Sequence, residues 1–305
     1  MMRVMAFQKI LCPVDFSAGS QRAMAAAVRL ANERDAELVL FHAWHLPPTA
    51  MALAGELRYS ADLIQQLSDD AQRGLEAAVA DAAKLGAKRI SSKLGTGVPW
   101  HQIVDTAAAD PTFDLIVIGA HGRTGLSRVL LGSVAELVVR HAPCPVLTVR
   151  GESKSFSHVL CPVDFSPWSR AAVDLAAEMV RPGGPGITLL HVLELPVAFG
   201  ELQPMELYRD LDRRATALLE RWAKELTAKV AVPVRQQLRA GYVGAQVLAA
   251  LDHDPTFDVV VMGSHGRTGI KRLALGSIAE KVVRHAHCPV LVTHHHPDRP
   301  VPVVA

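Results

Sequence analysis

GAHGRTGLSRVLLGSVAELVVRHAPCPVL, residues 119–147, returns as GSHGRTGIKRLALGSIAEKVVRHAHCPVL at 263–291, with 21 of 29 positions identical. Moving outward, DPTFD at 110–114 returns at 254–258 with the same offset of 144. CPVDFS at 12–17 returns at 161–166 with an offset of 149, and His42 matches His191 at that offset. The second copy is therefore five residues shorter, somewhere between His42 and Gly97. A period this long is a duplicated domain rather than a solenoid. The 305 residues divide into a first domain at 1–150 and a second at 155–293, about the usual domain size. Arg150–Ser155 is a short polar join, and 294–305 (HHHPDRPVPVVA) is a tail that matches nothing in the first copy.

Composition narrows the class. Half the residues are hydrophobic, a fifth are charged, and the net charge is +2. That is ordinary for a globular protein and too balanced for a protein that coats nucleic acid or anionic membrane. No apolar run reaches the ~18 residues of a membrane span. The start, MMRVMAFQKILC, has a superficial likeness to a signal peptide. Lys9 interrupts it, and FQKILC at 7–12 returns as FSHVLC at 156–161, so it belongs to the fold. The expected location is the cytoplasm. Four cysteines make no disulfide framework; Cys12, Cys144, Cys161 and Cys288 read as small core residues.

Each copy alternates short apolar runs with longer amphipathic ones. In the first, strands are expected at Lys9–Val14, Glu37–Ala43, Arg89–Leu94, Leu115–Gly119 and Pro145–Val149. Helices are expected at Ser20–Arg34, Asp62–Leu85, Trp100–Ala109 and Ser133–His141, with Gly86 as a stop signal. Alternation of this kind builds an α/β domain, a five-stranded parallel sheet flanked by helices. Two such Rossmann-like domains in tandem, each of order 3-2-1-4-5, are the expected fold.

The chemistry concentrates in the repeated motif Gly119-Ala-His121-Gly122, nine residues, then Gly132-Ser133. A buried strand ends at Gly119, glycines let the backbone turn and approach a ligand, and Ser133 reads as the N-cap of a helix whose first amides can hold an anion. In an open parallel sheet of order 3-2-1-4-5, the ligand crevice lies between strands one and four. Asp15 and Gly119 would face it together, as would Asp164 and Gly263. A carboxylate beside a phosphate cradle suits a nucleotide.

The combination of G-x2-G-x9-G-S with the upstream PVDFS resembles the universal stress protein family in its tandem, ATP-binding form, over essentially the whole chain except the tail. That resemblance implies one ATP site per domain, with or without Mg²⁺. Adenine and ribose would be held by Pro13, Val14 and Asp15, with Ala43 after the strand-two histidine, and in the second copy by Pro162, Val163, Asp164 and Val192. Ribose and phosphates would be held by Ile118, Gly119, His121, Gly122, Gly132, Ser133, Val134 and Ala135. Their equivalents are Met262, Gly263, His265, Gly266, Gly276, Ser277, Ile278 and Ala279. Arg123 and Arg267 either close over the phosphates or are solvated loop charges. Arg140-His141 and Arg284-His285 read as positive ends of their helices. No catalytic residue and no metal site is assigned.

Three functions compete: a nucleotide-dependent stress or regulatory protein with slow ATP hydrolysis at most, an ATP hydrolase or nucleotidyl-transfer enzyme on the same sheet, and a redox or metal protein. The second lacks a G-x-x-x-x-G-K-[ST] loop, and the third lacks Cys-x-x-Cys or His-x-x-x-His. The last strand of each copy is a sheet edge that seeks a partner. Single-domain relatives pair through it, so the resemblance implies an intramolecular pseudo-dimer of the two domains, with a homodimer and a regulatory protein as further partners.

Overall fold

The computed structural model describes residues 7–45, 61–122, 131–151, 156–194, 205–266 and 275–294. The chain divides into two compact units, Met1–Arg150 and Gly151–Ala305. The first contains β1 (Lys9–Pro13), α1 (Ala18–Arg34), β2 (Glu37–Trp44), α2 (Ala61–Lys84), β3 (Ile90–Thr96), α3 (Pro99–Ala109), β4 (Leu115–Gly119), α4 (Ser133–His141) and β5 (Val146–Val149). The second repeats the plan with β6 (His158–Pro162), α5 (Pro167–Met179), β7 (Gly186–Leu193), α6 (Met205–Thr227), β8 (Val234–Ala240), α7 (Val243–His253), β9 (Val259–Gly263), α8 (Ser277–His285) and β10 (Val290–Thr293).

Strand order is β3-β2-β1-β4-β5 in the first unit and β8-β7-β6-β9-β10 in the second. Within each unit the pairings are parallel. The two central strands of each unit are apolar without alternation because helices cover both faces. Ile10, Leu11, Cys12, Leu115, Ile116 and Val117 are completely buried, as are Val159, Leu160, Cys161, Val259, Val260 and Val261. Truncating one of these leucines to alanine costs about 2–5 kcal/mol. The four cysteines are buried and none forms a disulfide. Burial pushes the thiols of Cys12 and Cys288 up to about 12, which keeps them inert.

Elements begin and end close to where residue types put them, and the departures have local causes. α1 starts two residues earlier than its apolar periodicity suggests, because the Ser17 hydroxyl accepts from the Ser20 amide and caps it. β1 stops at Pro13 because the next carbonyl, that of Val14, accepts from the His42 ring instead of from β2 backbone. The missing five residues of the second copy also become located. Buried Ala71, Leu75, Ala78 and Ala82 of α2 match buried Ala215, Leu219, Trp222 and Leu226 of α6, all at an offset of 144. The deletion therefore precedes the helix, in the connection that leaves the second strand.

Candidate functional site

The turn after β1 is held from four directions. The Val14 amide donates to Phe41 O (2.8 Å), and the Val14 carbonyl accepts from His42 Nδ1 (2.7 Å). Asp15 Oδ1 accepts from the Ser17 amide (3.1 Å) and from the Ser17 hydroxyl (2.6 Å). Between them Phe16 adopts φ 65°, a left-handed conformation that costs a non-glycine residue about 1–2 kcal/mol. Its ring lies 4.4 Å from that of His42. The second unit reproduces each element. Phe165 has φ 64°, its ring lies 4.5 Å from His191, His191 Nδ1 meets Val163 O at 2.7 Å, and Ser166 donates to Asp164 at 3.0 and 2.5 Å.

These bonds leave one strand end open. In a parallel ladder, alternate residues of a strand hydrogen-bond to opposite neighbours. Phe41 serves β1, and Trp44 serves the β3 side, where it accepts from the Gly97 amide (2.9 Å). Ala43 is then the next β2 residue facing β1, at the level where β1 has turned away. The ladder bond it would make next goes to Val14 O, which His42 occupies. The Ala43 N–H and C=O thus form an adjacent donor and acceptor at the crevice. Val192 occupies the same place, with Leu190 accepting from Val163 (2.8 Å) and Leu193 from Gly241 (2.9 Å).

The glycines of the motif work differently from expectation. Gly119, Gly122 and Gly132 do not lie in the left-handed region, so they are not there to turn the chain. Gly119 and Gly122 are there for close approach within the protein. A Cβ on Gly119 would stand 2.8 Å from the Gly19 backbone at the start of α1, and one on Gly122 would stand 2.5 Å from Asp15 Oδ2. The corresponding distances are 3.0 Å from Gly263 to Trp168 and 2.8 Å from Gly266 to Asp164 Oδ2. Asp15 therefore spans the crevice, with one oxygen on Ser17 and the other against the loop. The expected cap is also corrected. Gly132, not Ser133, is the N-cap of α4, without a side-chain hydrogen bond, and Gly276 caps α8 likewise. The reason is the loop closure. The Gly132 amide donates to Ala120 O (2.8 Å) and that of Gly276 to Ser264 O (2.8 Å), drawing the helix start against the end of the central strand. The first intrahelical bond runs from Glu136 to Gly132 O (2.9 Å). The amides of Ser133, Val134 and Ala135 precede it, in the position from which helix N-termini hold anions.

Strand end, carboxylate and helix start open on one cavity of about 480 Å³, within the usual range for small-molecule sites. Of the first-copy candidates it is lined by Pro13, Val14, Asp15, Ala43, Ile118, Gly119, His121, Gly122, Gly132, Ser133, Val134 and Ala135. Arg123 and Arg267 lie outside the described residues. Ser20, Phe41, His42, Trp44, His45, Pro99 and Ile103 also line the cavity and were missed by sequence reasoning. Trp44 and His45 follow directly from continuing strand two past Ala43. Pro99 and Ile103 sit on α3, which packs across β2, a placement no local pattern encodes. In the second unit, Pro162, Val163 and Asp164 form the turn, and Val192 lies near the end of β7. Met262 and Gly263 end β9, His265 and Gly266 form the loop, and Gly276, Ser277, Ile278 and Ala279 open α8. The contacts above bring Asp164, Gly266 and Gly276 to one crevice.

The histidine of the loop differs between the copies. His265 Nδ1 lies 3.0 Å from Ser264 Oγ, a serine partner that the sequence alone does not place. Ser264 is 1% exposed, so its hydroxyl is a support for the ring and not a nucleophile open to substrate. The first copy has Ala120 there. Arg140 pairs with Glu136 (3.2 Å) and Arg284 with Glu280 (3.0 Å) along their own helices. Among the described residues no three His, Cys, Asp or Glu side chains converge as metal ligands, and no helix is long and apolar enough to cross a membrane.

The family model of the universal stress protein family matches this chain twice, at residues 6–150 and 155–294. A universal stress protein of Mycolicibacterium smegmatis is 28% identical over 291 residues, 93% of this chain and 96% of that one. The universal stress protein MJ0531 of Methanocaldococcus jannaschii is 36% identical over 149 residues, 48% of this chain and 85% of that one. The crystal structure of a universal stress protein from Archaeoglobus fulgidus covers 95% of this chain and 99% of its own, with a TM-score of 0.69 at 20% identity, a likeness of fold. The chain belongs to the universal stress protein family, as two tandem copies of its domain.

Proposed function

We propose that this member of the universal stress protein family binds ATP, one molecule per unit, and that occupancy sets its regulatory state. One observation carries the reading: a strand end offering a donor and an acceptor, a carboxylate, and a helix start with its first amides forward all open on a single cavity. Their chemistries match the parts of a nucleotide in order. The Ala43 edge suits the N1 and N6 positions of adenine, which need a donor and an acceptor side by side. Asp15 suits ribose hydroxyls. The amides of Ser133, Val134 and Ala135 suit phosphate, aided by the helix dipole. Phosphate held by backbone agrees with the small net charge of +2. Val192, Asp164 and the start of α8 repeat the set. The loops carrying Arg123 and Arg267 would complete the phosphate contacts, and Mg²⁺ would travel with the triphosphate.

In this reading ATP is a ligand whose presence is sensed, with slow hydrolysis at most, and a regulatory protein partner reads the state. The edge strands β5 and β10 suit pairing of unit with unit as a pseudo-dimer, and a homodimer is a further assembly of this reading. Calorimetric titration with ATP and Mg²⁺, with mass spectrometry of co-purifying nucleotide, tests the binding. Micromolar or tighter binding of two equivalents is expected. A protein that arrives empty and binds nothing in that range would overturn the proposal. Turnover above about 1 s⁻¹ would move the protein into the range of ordinary enzymes.

A further inference from the structure

His42 and His191 lie outside the glycine motif, yet each makes a contact that decides what the site can offer. A carbonyl oxygen only accepts, so in the 2.7 Å contacts to Val14 O and Val163 O the ring nitrogen Nδ1 is the donor. That fixes the Nδ1–H tautomer in the neutral ring. The ring also packs, tilted, against a phenylalanine held in the left-handed conformation, Phe16 or Phe165. The carbonyl it occupies is the one that the Ala43 or Val192 amide would take if the parallel ladder ran one step further.

We infer that His42 and His191 are positioning residues that hold the β1–β2 and β6–β7 ladders open, keeping the Ala43 and Val192 backbone edges available to the base of a nucleotide. The histidine substitutes its own N–H for a backbone N–H, satisfying Val14 or Val163 while the strand amide stays directed into the crevice. As a statement about affinity this role rests on the nucleotide reading above; as a statement about the backbone it stands alone.

Paired substitutions in the full chain test it. His42→Leu with His191→Leu removes both donors and is expected to weaken ATP binding at least tenfold. His42→Asn with His191→Asn places an amide N–H near the Nδ1 position and is expected to restore most of the affinity. The Gln pair, whose donor falls near Nε2, is not. Hydrogen exchange gives a readout of the opposite sign from simple loosening. In the Leu pair the amides of Ala43 and Val192 become more protected, because they close onto the vacated carbonyls. Nitrogen NMR of the imidazoles should show the Nδ1–H form in the parent protein. A Leu pair that binds within twofold of the parent, rings in the Nε2–H form, or unchanged or faster exchange at residues 43 and 192 would each overturn the inference. A parent protein that binds no nucleotide would defeat the ATP reading while leaving the tautomer and exchange results to decide this one.

Discussion

At the start of α1 the chain has Gly19; at the matching place in α5 it has Trp168. A Cβ on Gly19 would stand 1.9 Å from His121 O, so helix and loop backbones are in direct contact in the first unit. Real Cβ atoms do not approach below about 3.0 Å, so in the second unit the loop stands farther from the helix. The Trp168 ring lies 5.1 Å from that of His265. Under the turn the packing also differs, at neighbouring rather than matching positions, since Trp222 aligns with Ala78. Phe16 sits over Gly74 of α2, while Phe165 meets Trp222 of α6 edge-on at 5.4 Å. The polar bonds are unaffected: Asp to Ser, His to carbonyl, and Gly amide to loop carbonyl keep their partners in both units. Two routes to packing thus support one backbone arrangement. The first removes side chains so that backbones touch, and the second inserts aromatic rings between them.

The difference sets an order of expected effects. Of the changes that probe this difference, Gly19→Ala should be the most damaging. Its new methyl group meets a backbone oxygen, which cannot swing aside as a side chain can. A cost of about 1–3 kcal/mol or more is expected, confined to the first unit. Trp168→Ala in the second unit removes a half-buried ring without any clash and should cost less. Denaturant titration followed by peptide-resolved hydrogen exchange separates the units. Equal losses from the two substitutions would show that the contrast between glycine contact and aromatic support has no energetic content.

Gly122→Ala and Gly266→Ala probe the site rather than the packing. In each the obstacle is a carboxylate oxygen, at 2.5 Å in the first unit and 2.8 Å in the second. Moving it means giving up the bonds from Ser17 or Ser166. ATP affinity is expected to fall about tenfold at the first site, equivalent to ~1.4 kcal/mol, and less at the second. Stability should change by less than binding does. Calorimetry on the two variants checks the order. An unaltered first-site affinity with Gly122→Ala would detach Asp15 from the ligand.

Much of this was legible beforehand. Strand and helix positions, the duplication and the crevice between strands one and four follow from apolar runs, turn residues and the rule for open parallel sheets. Twelve of the thirteen first-copy candidates line one cavity, because the motif residues are close in sequence to the two strand ends that define it. What could not be read are contacts across long sequence separations. That Gly119 needs its missing side chain for Gly19, a hundred residues earlier, depends on how closely α1 approaches β4. The role of His42 depends on a carbonyl 28 residues away. The misplaced cap at Ser133 has a related cause. Serine is the commoner cap by propensity, but the hydrogen bond from the Gly132 amide to Ala120 O starts the helix one residue earlier.

The smallest expected difference lies at the opposite end of the first strands. Lys9 pairs with Asp110 (3.0 Å) and Glu37 (3.5 Å) and lies 4.9 Å from the Phe113 ring centre. His158 takes its place in the second unit, tilted against Phe257 with ring centres 4.4 Å apart and 3.0 Å from Thr256 Oγ1. Hydrogen bonds from the Thr112 hydroxyl and from Lys9 hold the Asp110 carboxyl down at about 2. The Thr256 hydroxyl holds that of Asp254 below its ordinary value. A depressed carboxyl stabilises the fold above its unfolded value of ~4 and stops doing so as pH falls through the folded value. Both units should therefore lose this contribution on acidification below about pH 4. The alkaline side separates them. The hydrogen bond to Asp110 raises the Lys9 ammonium above 10.5, so its contribution is complete below the unfolded value and fades as pH rises through the raised one. The second unit has no lysine there to lose. The side chains are partly exposed, so the effect is expected to be only about 0.5 kcal/mol. Stability of each unit measured from pH 8 to 11.5 should show an additional decline in the first that Lys9→Met removes. If the two slopes match in the parent protein, or if Lys9→Met leaves the first slope as it was, the ion pair contributes nothing to the difference between the units.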